Sequence, residues 1–246
     1  MKDKLTGPVL KRRHQAEETS TTDQRLLDSH GPSDWVHQDP WRVLRIQAEF
    51  VEGFGALAEL GPAIAVFGSS RTTPAHPSYK VAEQVGRSLV EAGFAVITGG
   101  GPGAMEAANK GASEAGGVSV GLGIELPYES GLNPWVDKGI NFRYFFARKT
   151  MFVKYSQGFI VLPGGIGTLD EMFEALTLAQ THKVTRFPVV LIGVDYWQGL
   201  LAWLRDTVLD DGKMTQHRLA SIFFVKEGKI VEWIDYGLPD PKTIRP

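Results

Sequence analysis

The sequence has no cysteine, almost no net charge and no long apolar run. The absence of cysteine among 246 residues excludes disulfides, thiolate catalysis, thiolate zinc sites and iron–sulfur clusters. With 26 Lys+Arg against 28 Asp+Glu, the net charge of −2 indicates no basic field for a nucleic-acid polymer or an anionic membrane. A small anion site remains open, because backbone dipoles bind phosphate without net charge.

Other absences narrow the function further. No run of about 18 apolar residues predicts a membrane-spanning helix, and the first residues lack the apolar stretch of a secretory signal. We therefore expect a cytoplasmic protein. There is no Walker A lysine and no H-E-x-x-H pattern, and the 6 histidines are dispersed. The sequence thus predicts no metal and no cofactor.

Short continuous apolar runs alternate with helical stretches along most of the chain. Continuous apolarity is typical of parallel strands buried on both faces, and strand–helix alternation with Gly-rich turns predicts an α/β fold, a doubly wound Rossmann-like parallel sheet flanked by helices. The predicted strands are Ala63–Phe67, Phe94–Thr98, Val118–Leu122, Gly158–Leu162, Val189–Ile192 and Ser221–Val225. The predicted helices cover about 78–92, 103–116, 145–156, 167–182, 196–209 and 227–235, and 125–142 is predicted to be irregular.

Composition divides the chain into three parts. Residues 1–33 are polar and predict a flexible tail. Residues 34–61 predict an accessory N-terminal helix that starts at Asp39-Pro40, a cap followed by a proline at the first helical position. Residues 62–240 predict a single Rossmann-like catalytic domain. The apolar face of the accessory helix is predicted to pack on the core or on a partner; it consists of Ile46, Phe50, Phe54 and Leu57.

Two Gly-rich turns follow the first two predicted strands of the domain. The first is Gly68-Ser69-Ser70-Arg71, in which the serine hydroxyl and N–H groups suit an anion. The second, Gly99–Glu106, has three successive glycines, which predicts backbone pressed against a ligand. It also matches G-x-G-x-x-A, so a dinucleotide-binding enzyme is an alternative, with Glu125 as a loose candidate for the acidic ribose ligand.

A third turn, Pro163-Gly164-Gly165-Ile166-Gly167-Thr168, follows a buried strand and opens a helix. Its N–H groups and the helix N-terminus predict an anion cradle to which Thr168 adds a hydroxyl. Glu171 is placed in the first turn of the helix, at the pocket mouth. A structural alternative is a capping box, in which Thr168 is the N-cap and Glu171 its partner three residues later.

Three ordered motifs together resemble the Lonely Guy (LOG) family, in its longer bacterial branch. The stretch 163–171 looks like the P-G-G-x-G-T-x-x-E signature, 99–106 like the companion glycine motif, and Arg148-Lys149 like the R-K pair. The resemblance covers roughly 60–235. It implies a phosphoribohydrolase that hydrolyses cytokinin riboside 5′-monophosphates, and AMP in many relatives, to free base and ribose 5-phosphate. It also implies a homodimer or larger homo-oligomer.

The resemblance assigns the catalytic roles to Arg148 and Glu171. A carboxylate at position 171 would stabilise the oxocarbenium-like ribose, and the guanidinium would orient and stabilise charge rather than donate a proton. A noncatalytic nucleotide or cofactor carrier on the same fold is the alternative. The predicted substrate-binding residues are Gly68, Ser69, Ser70, Gly100, Gly101, Met105, Lys149, Gly164, Gly165, Gly167 and Thr168, with Glu106 as a ribose ligand or a salt-bridge partner.

Overall fold

The structure is a computed structural model that describes residues 4–6, 9–11, 21–27, 39–125, 131–181, 187–213, 219–226 and 229–236. Its helices are α1 (Thr22–Leu27), α2 (Asp39–Leu57), α3 (Pro77–Glu91), α4 (Ala104–Glu114), α5 (Phe145–Tyr155), α6 (Ile166–Gln180) and α7 (Val194–Trp203), which continues as π-helical turns over Leu204–Leu209. Its strands are β1 (Lys4–Thr6), β2 (Val9–Lys11), β3 (Ala63–Phe67), β4 (Ala95–Thr98), β5 (Ser119–Ile124), β6 (Lys138–Phe142), β7 (Phe159–Val161), β8 (Val189–Ile192), β9 (Leu219–Lys226) and β10 (Lys229–Tyr236).

The main sheet has the strand order β10-β9-β8-β7-β3-β4-β5-β6. All neighbours pair in parallel except β9 and β10, which are antiparallel. The chain builds outward from β3 to one edge and then returns to β7 to build toward the other. This reversal confirms the predicted doubly wound α/β fold, and it places a ligand crevice where β3 and β7 end.

Helices cover both faces of this sheet. Helices α3 and α4 pack on one face with Val66, Val96 and Leu162, while α5, α6 and α7 pack on the other. Both faces of the central strand β4 are therefore covered, and all its residues are buried. This burial explains why the strand is a continuous apolar run in the sequence.

Two predictions of secondary structure are wrong. Residues 138–142, predicted to be irregular, form β6 at an edge of the sheet, where only one residue is buried. An edge strand needs no continuous apolar run, so that criterion missed it. Residues 227–235 were predicted to be helical, but Lys229–Tyr236 form β10. Two β-branched and aromatic runs separated by Glu227-Gly228 are a hairpin signal that outweighs the helical interpretation.

Helix α2 begins at Asp39, where the sequence predicts an accessory helix. Three residues of its predicted apolar face pack on the domain's own core, since Leu57 is fully buried and Ile46 and Phe50 contact the main cluster. The fourth, Phe54, is 38% exposed. The exposed apolar side chains of α2 include Trp41, Val43, Leu44 and Val51. None of the helices in the described ranges is both long and apolar enough to span a bilayer.

A buried polar network supports the turn after β4. The Asn109 amide, on α4, is fully buried; its oxygen accepts from Thr98 Oγ1 at 2.6 Å and from Asn133 Nδ2 at 2.9 Å. Its nitrogen donates to Ser119 Oγ at 2.8 Å and to the Val120 carbonyl at 3.2 Å. All four hydrogen-bonding positions of the amide are thus used.

We expect Asn109→Ala to destabilise the protein by about 3 kcal/mol, because it leaves several buried partners unpaired. Urea unfolding followed by circular dichroism measures the change. The matched control is Gln84→Ala, which removes an exposed amide that donates to Ser88 Oγ at 3.2 Å and should cost less than about 0.5 kcal/mol. Equal losses in the two variants would contradict the structural role of the network.

Candidate active site

A cavity of about 600 Å³ opens at the carboxyl edge of the sheet. It lies beside the ends of β3, β4, β5 and β7, as expected for an open parallel sheet. Ten of the predicted site residues line it: Gly68, Ser69, Ser70, Gly101, Met105, Arg148, Gly165, Gly167, Thr168 and Glu171.

Four predicted site residues are not among those that line the cavity. Gly100 has φ +70° and packs against Gly121. Lys149 Nζ binds Asp170 at 2.8 Å and Glu174 at 3.0 Å, which ties α5 to α6. The two others also face the protein itself. Gly164 packs on Thr168. Glu106 faces Tyr79 on α3: burial of the tyrosine raises its pKa most, and the negative charge of Glu106 raises it further.

Ten further residues line the cavity that were not predicted to bind the nucleoside monophosphate, although Glu125 was a loose candidate for the dinucleotide alternative. They are Phe67, Arg71, Gly99, Gly123, Ile124, Glu125, Gly131, Asn141, Phe145 and Ile166. Four of them have no motif signal, because they reach the cavity through the parallel pairing of β5 with β6 and the start of α5: Gly123, Ile124, Asn141 and Phe145. Arg71 ends the predicted Gly68–Arg71 turn and could have been found there, since it adds a cation beside the serines.

The N-terminus of α6 forms one end of the cavity. The Gly165 carbonyl accepts from the N–H groups of Thr168 and Leu169, both at 3.0 Å. The helix therefore starts before Thr168, and the capping-box interpretation is wrong because Thr168 already lies inside the first turn. A Cβ on Gly165 or Gly167 would meet nothing within 4 Å. The backbone there faces open space, which suits an anion at a helix N-terminus.

The Ser69 loop is joined to this end of the cavity. The Ser69 N–H donates to the Pro163 carbonyl at 3.2 Å, and Ser69 Oγ accepts from the Arg71 N–H at 3.1 Å. Tyr196, on α7, supports the same region by donating its hydroxyl to the Gly164 carbonyl at 2.7 Å. The two turns that carry the predicted anion ligands are therefore neighbours.

Arg148 extends from α5 into the cavity between aromatic rings and backbone. Its Nε donates to the Leu122 carbonyl at 2.7 Å. Its guanidinium carbon lies 5.6 Å from the Phe145 ring centre and 5.1 Å from that of Phe152. A Cβ on Gly99 would lie only 2.5 Å from Arg148 Nη2. The glycine at position 99 therefore makes room for this arginine.

Glu171, on α6, is a buried carboxyl group facing the same cavity, with only 4% of its surface exposed. Burial raises the pKa of Glu171 to about 7, against the lowering effect of Lys149 and Arg148 and with a smaller raising effect of Glu174 and Asp170. Among the described residues its Oε2 atom accepts no hydrogen bond. A carboxyl group in this state can exchange a proton near neutral pH.

The described parts of the chain contain no group of three or more His, Asp or Glu side chains placed to hold a metal ion. One cofactor to consider is pyridoxal phosphate, which enzymes hold as a Schiff base on a lysine. No lysine is found among the described residues that line the cavity. These residues do not fit that cofactor.

Fold and cavity together define a Rossmann-like α/β protein with a ligand crevice at the carboxyl edge of its sheet. Residues 105–232 match the family described as possible lysine decarboxylase. The chain belongs to this family, which confirms the resemblance to LOG proteins.

Its relatives carry a more specific name. The chain is 34% identical over 165 residues to the cytokinin riboside 5′-monophosphate phosphoribohydrolase of Mycobacterium tuberculosis, covering 64% of this chain and 85% of the relative. It is 35% identical over 143 residues to an enzyme of the same name, LOG7, from Arabidopsis thaliana, covering 55% of this chain and 64% of the relative.

Solved structures with a similar chain include two proteins named for the molybdenum cofactor. The binding protein from Rippkaea orientalis is 31% identical and matches 59% of this chain and 85% of its own, with a TM-score of 0.46. The carrier protein from Chlamydomonas reinhardtii is 27% identical and matches 66% of this chain and 88% of its own, with a TM-score of 0.46.

Proposed function

We propose that this protein is a phosphoribohydrolase, which hydrolyses the N-glycosidic bond of cytokinin riboside 5′-monophosphates or AMP to free base and ribose 5-phosphate. The observation that carries the proposal is that Arg148 and Glu171 face one cavity that ends at the N-terminus of α6. The names of the relatives support the same reaction.

The cavity suggests one orientation of the nucleotide. We infer that the 5′-phosphate binds the N–H groups of Gly165 and Gly167, with Arg71 as a countercharge at the mouth. The ribose then lies beside Glu171. The base points toward Phe145 and Asn141, where an aromatic ring can pack on it and an amide can bind its edge. The cavity volume, about 600 Å³, lies in the range of small-molecule sites.

The reaction follows from the two charged side chains. As the C1′–N bond breaks, positive charge grows on the ribose, and the ionised Glu171 stabilises it. Water attacks C1′ and gives one proton to Glu171, whose pKa of about 7 suits a general base. That proton finally reaches the departed base. Arg148 stabilises negative charge on the leaving base without losing its own proton, since guanidinium stays charged at neutral pH.

The remaining predictions stand as parts of the proposal. Residues 62–240 form the catalytic domain, and 34–61 supply its accessory helix. Residues 1–33, predicted to be a flexible tail, contain β1, β2 and α1 in their described part; the rest of that range lies outside the described residues. The protein is cytoplasmic, requires no metal or cofactor and acts as a homodimer or larger assembly. The exposed apolar side chains of α2 and α6, such as Trp41 and Ile166, support assembly. Light scattering that finds a monomer at assay concentration would refute the proposed assembly.

A substrate panel tests the activity directly. Purified protein is incubated with AMP and with isopentenyladenosine monophosphate, and release of base and ribose 5-phosphate is followed by chromatography. The ratio of kcat/KM values then identifies the preferred base. No base from either nucleotide would overturn the proposal. Tight nucleotide binding without turnover would favour the carrier alternative, and calorimetric binding of NAD would favour the dinucleotide alternative.

A separate prediction concerns the proposed phosphate cradle, formed by Gly165 and Gly167 at the N-terminus of α6. We expect Gly165→Ala and Gly167→Ala each to raise KM for AMP by about tenfold, because a methyl group enters the space left for the phosphate. Folding stability should hardly change, since each new Cβ meets nothing within 4 Å.

The matched control is Gly199→Ala, on α7, where a Cβ also meets nothing within 4 Å. It should leave KM unchanged and stabilise the helix slightly. Gly164→Ala should instead lower stability, because its Cβ would lie 2.6 Å from Thr168 Cβ. Unchanged KM in both cradle variants would move the phosphate to another part of the cavity.

A further inference from the structure

Two carboxylates from the N-terminal part of the chain bind the start of α5. Glu49 on α2 accepts from the Arg143 N–H with Oε1 at 2.9 Å and from the Tyr144 N–H with Oε2 at 3.2 Å. Asp23 on α1 accepts from the Phe145 N–H with Oδ2 at 3.0 Å. Three successive N–H groups at the start of α5 are thus bound from outside the helix, and two of them, from Tyr144 and Phe145, belong to the groups that a helix start leaves without intrahelical partners.

The helix start does not supply this cap itself. Tyr144, the residue that precedes α5, makes no side-chain capping bond. The acceptors come from positions 94, 95 and 122 residues away in sequence. The place of the first turn of α5 is therefore fixed by α1 and α2 rather than by its own sequence.

That turn carries two cavity residues. Phe145 is its first residue, and the Arg148 N–H donates to the Tyr144 carbonyl at 3.3 Å. The guanidinium also binds the Leu122 carbonyl at the end of β5. A shift of the helix start would therefore move Arg148 relative to the sheet that supplies its other contact.

The same segment contacts the cavity wall a second time. The Thr22 N–H and Oγ1 donate to Glu125 Oε2 at 3.1 and 2.7 Å. Glu125 itself lines the cavity. Helix α1 thus binds both the strand end that carries Glu125 and the helix start that carries Arg148.

The position of the Glu49 carboxylate disfavours its charged form. The side chain is only 6% exposed, and burial raises the pKa of Glu49 against the hydrogen bonds from Arg143 and Tyr144. Burial likewise raises the pKa of Asp23, which also faces Glu125.

We propose that Glu49 and Asp23 are positioning residues, which fix the first turn of α5 and so hold the Arg148 guanidinium in the cavity opposite Glu171. Both lie outside the part of the chain that matches the family. On this proposal, α1 and α2 help to set the geometry of the active site. The kinetic arm of the test rests on the proposed function, whereas its spectroscopic arm does not.

The test compares the full-length variants Glu49→Leu, Glu49→Gln and Asp23→Ala with the control Glu52→Gln. Glu52 is exposed on the same helix, one turn further on. The first readout is the titration of Glu171 by NMR of ¹³C-labelled carboxyl groups, with Glu171→Gln used to assign the signal. The second is kcat and KM for AMP, corrected for the folded fraction.

We expect Glu49→Leu to raise the titration midpoint of Glu171, because the Arg148 charge that lowers it moves away. The kcat should fall by about tenfold or more, with KM changed less than about threefold. Glu49→Gln keeps one acceptor oxygen and should lie between Glu49→Leu and the wild type. Asp23→Ala should act in the same direction, and Glu52→Gln should match the wild type.

A purely structural role gives a different pattern. Variants with a lower Tm but an unchanged Glu171 midpoint and unchanged kcat would overturn the proposal. If Glu49→Leu does not fold, Asp23→Ala decides, since Asp23 is only half-buried and its loss is milder. If the wild type releases no base, the proposed function fails, and the Glu171 midpoint alone still decides whether these carboxylates position Arg148.

Discussion

Replacing Glu171 with glutamine is expected to abolish turnover and to make the free protein more stable above neutral pH. Glutamine keeps the size of the side chain but has neither the negative charge nor a basic oxygen. The proposed mechanism needs both in the transition state, so kcat should fall by about 10³-fold or more. Nucleotide binding should be largely retained, because the bound substrate in its ground state depends much less on this charge and this basic oxygen.

The gain in stability follows from the sign of the pKa change. Burial raises the pKa of Glu171 from 4.5 to about 7, so the folded state holds this proton more tightly than the unfolded state. Stability is therefore lost as pH rises from about 4.5 to about 7, by up to about 3 kcal/mol at about 1.4 kcal/mol per pH unit. Glutamine does not titrate and removes this loss.

Urea unfolding at pH 5.5 and pH 8.5 measures the effect. The wild type should lose about 2 kcal/mol between the two values relative to Glu171→Gln, which should be the more stable protein at pH 8.5. The control Glu59→Gln changes an exposed carboxylate and should keep the wild-type pH dependence. A variant that hydrolyses AMP at the wild-type rate would remove Glu171 from the mechanism.

The burial of Glu171 lowers folding stability and also gives the carboxyl group the pKa that the proposed reaction needs. The carboxyl group is destabilising because it lies in a cavity with Oε2 unpaired among the described residues. The same burial brings its pKa to about 7, close to the pH at which a base is most useful. A residue that reduces stability while serving catalysis is typical of active sites.

The strand pattern could be predicted because parallel strands carry their own signal. Central strands such as β3 and β4 are buried on both faces, so their apolar runs are visible without knowledge of their neighbours. Strands β6 and β10 lie at the two edges of the sheet. Their stability depends on pairing with β5 and β9, and a local pattern does not report this pairing.

The candidate site likewise has one end with a local sequence signal and another that depends on long-range contacts. The end proposed to bind phosphate, Gly165 to Thr168, is a local turn, and its glycines predict it from the sequence. The opposite end depends on residues brought together by long-range pairing, such as Asn141 on β6 and Phe145 on α5. The caps from Asp23 and Glu49 have no sequence signal at all, since the N–H groups they bind are about a hundred residues away.

The glycine run after β4 lies against other parts of the protein as well as against the cavity. Three successive glycines predict close approach of a ligand, but Gly99 adjoins Arg148 and Gly100 packs on Gly121. The backbone is close to protein atoms at both positions. Only Gly99 and Gly101 of this run line the cavity. Gly99 thus makes room for an arginine of the proposed active site.

That arginine carries the second large expected effect. We expect Arg148→Ala to lower kcat by about 10³-fold and Arg148→Lys by about 10²-fold, with smaller changes in KM. Lysine retains the charge, but it cannot reproduce a planar group that donates from Nε to the Leu122 carbonyl while other donors face the cavity. The matched control is Lys154→Gln, on the same helix, whose ammonium lies 5.2 Å from the Phe54 ring and does not line the cavity.

The pH profile separates the two roles that Arg148 can have. If it acts on the leaving base and also lowers the pKa of Glu171, Arg148→Ala should shift the acidic limb of kcat/KM to higher pH as well as reducing its maximum. Arg148→Lys keeps a nearby positive charge, so its acidic limb should stay close to that of the wild type while its maximum falls. A full rate with lysine would show that charge alone suffices, and the guanidinium geometry described above would then have no catalytic role.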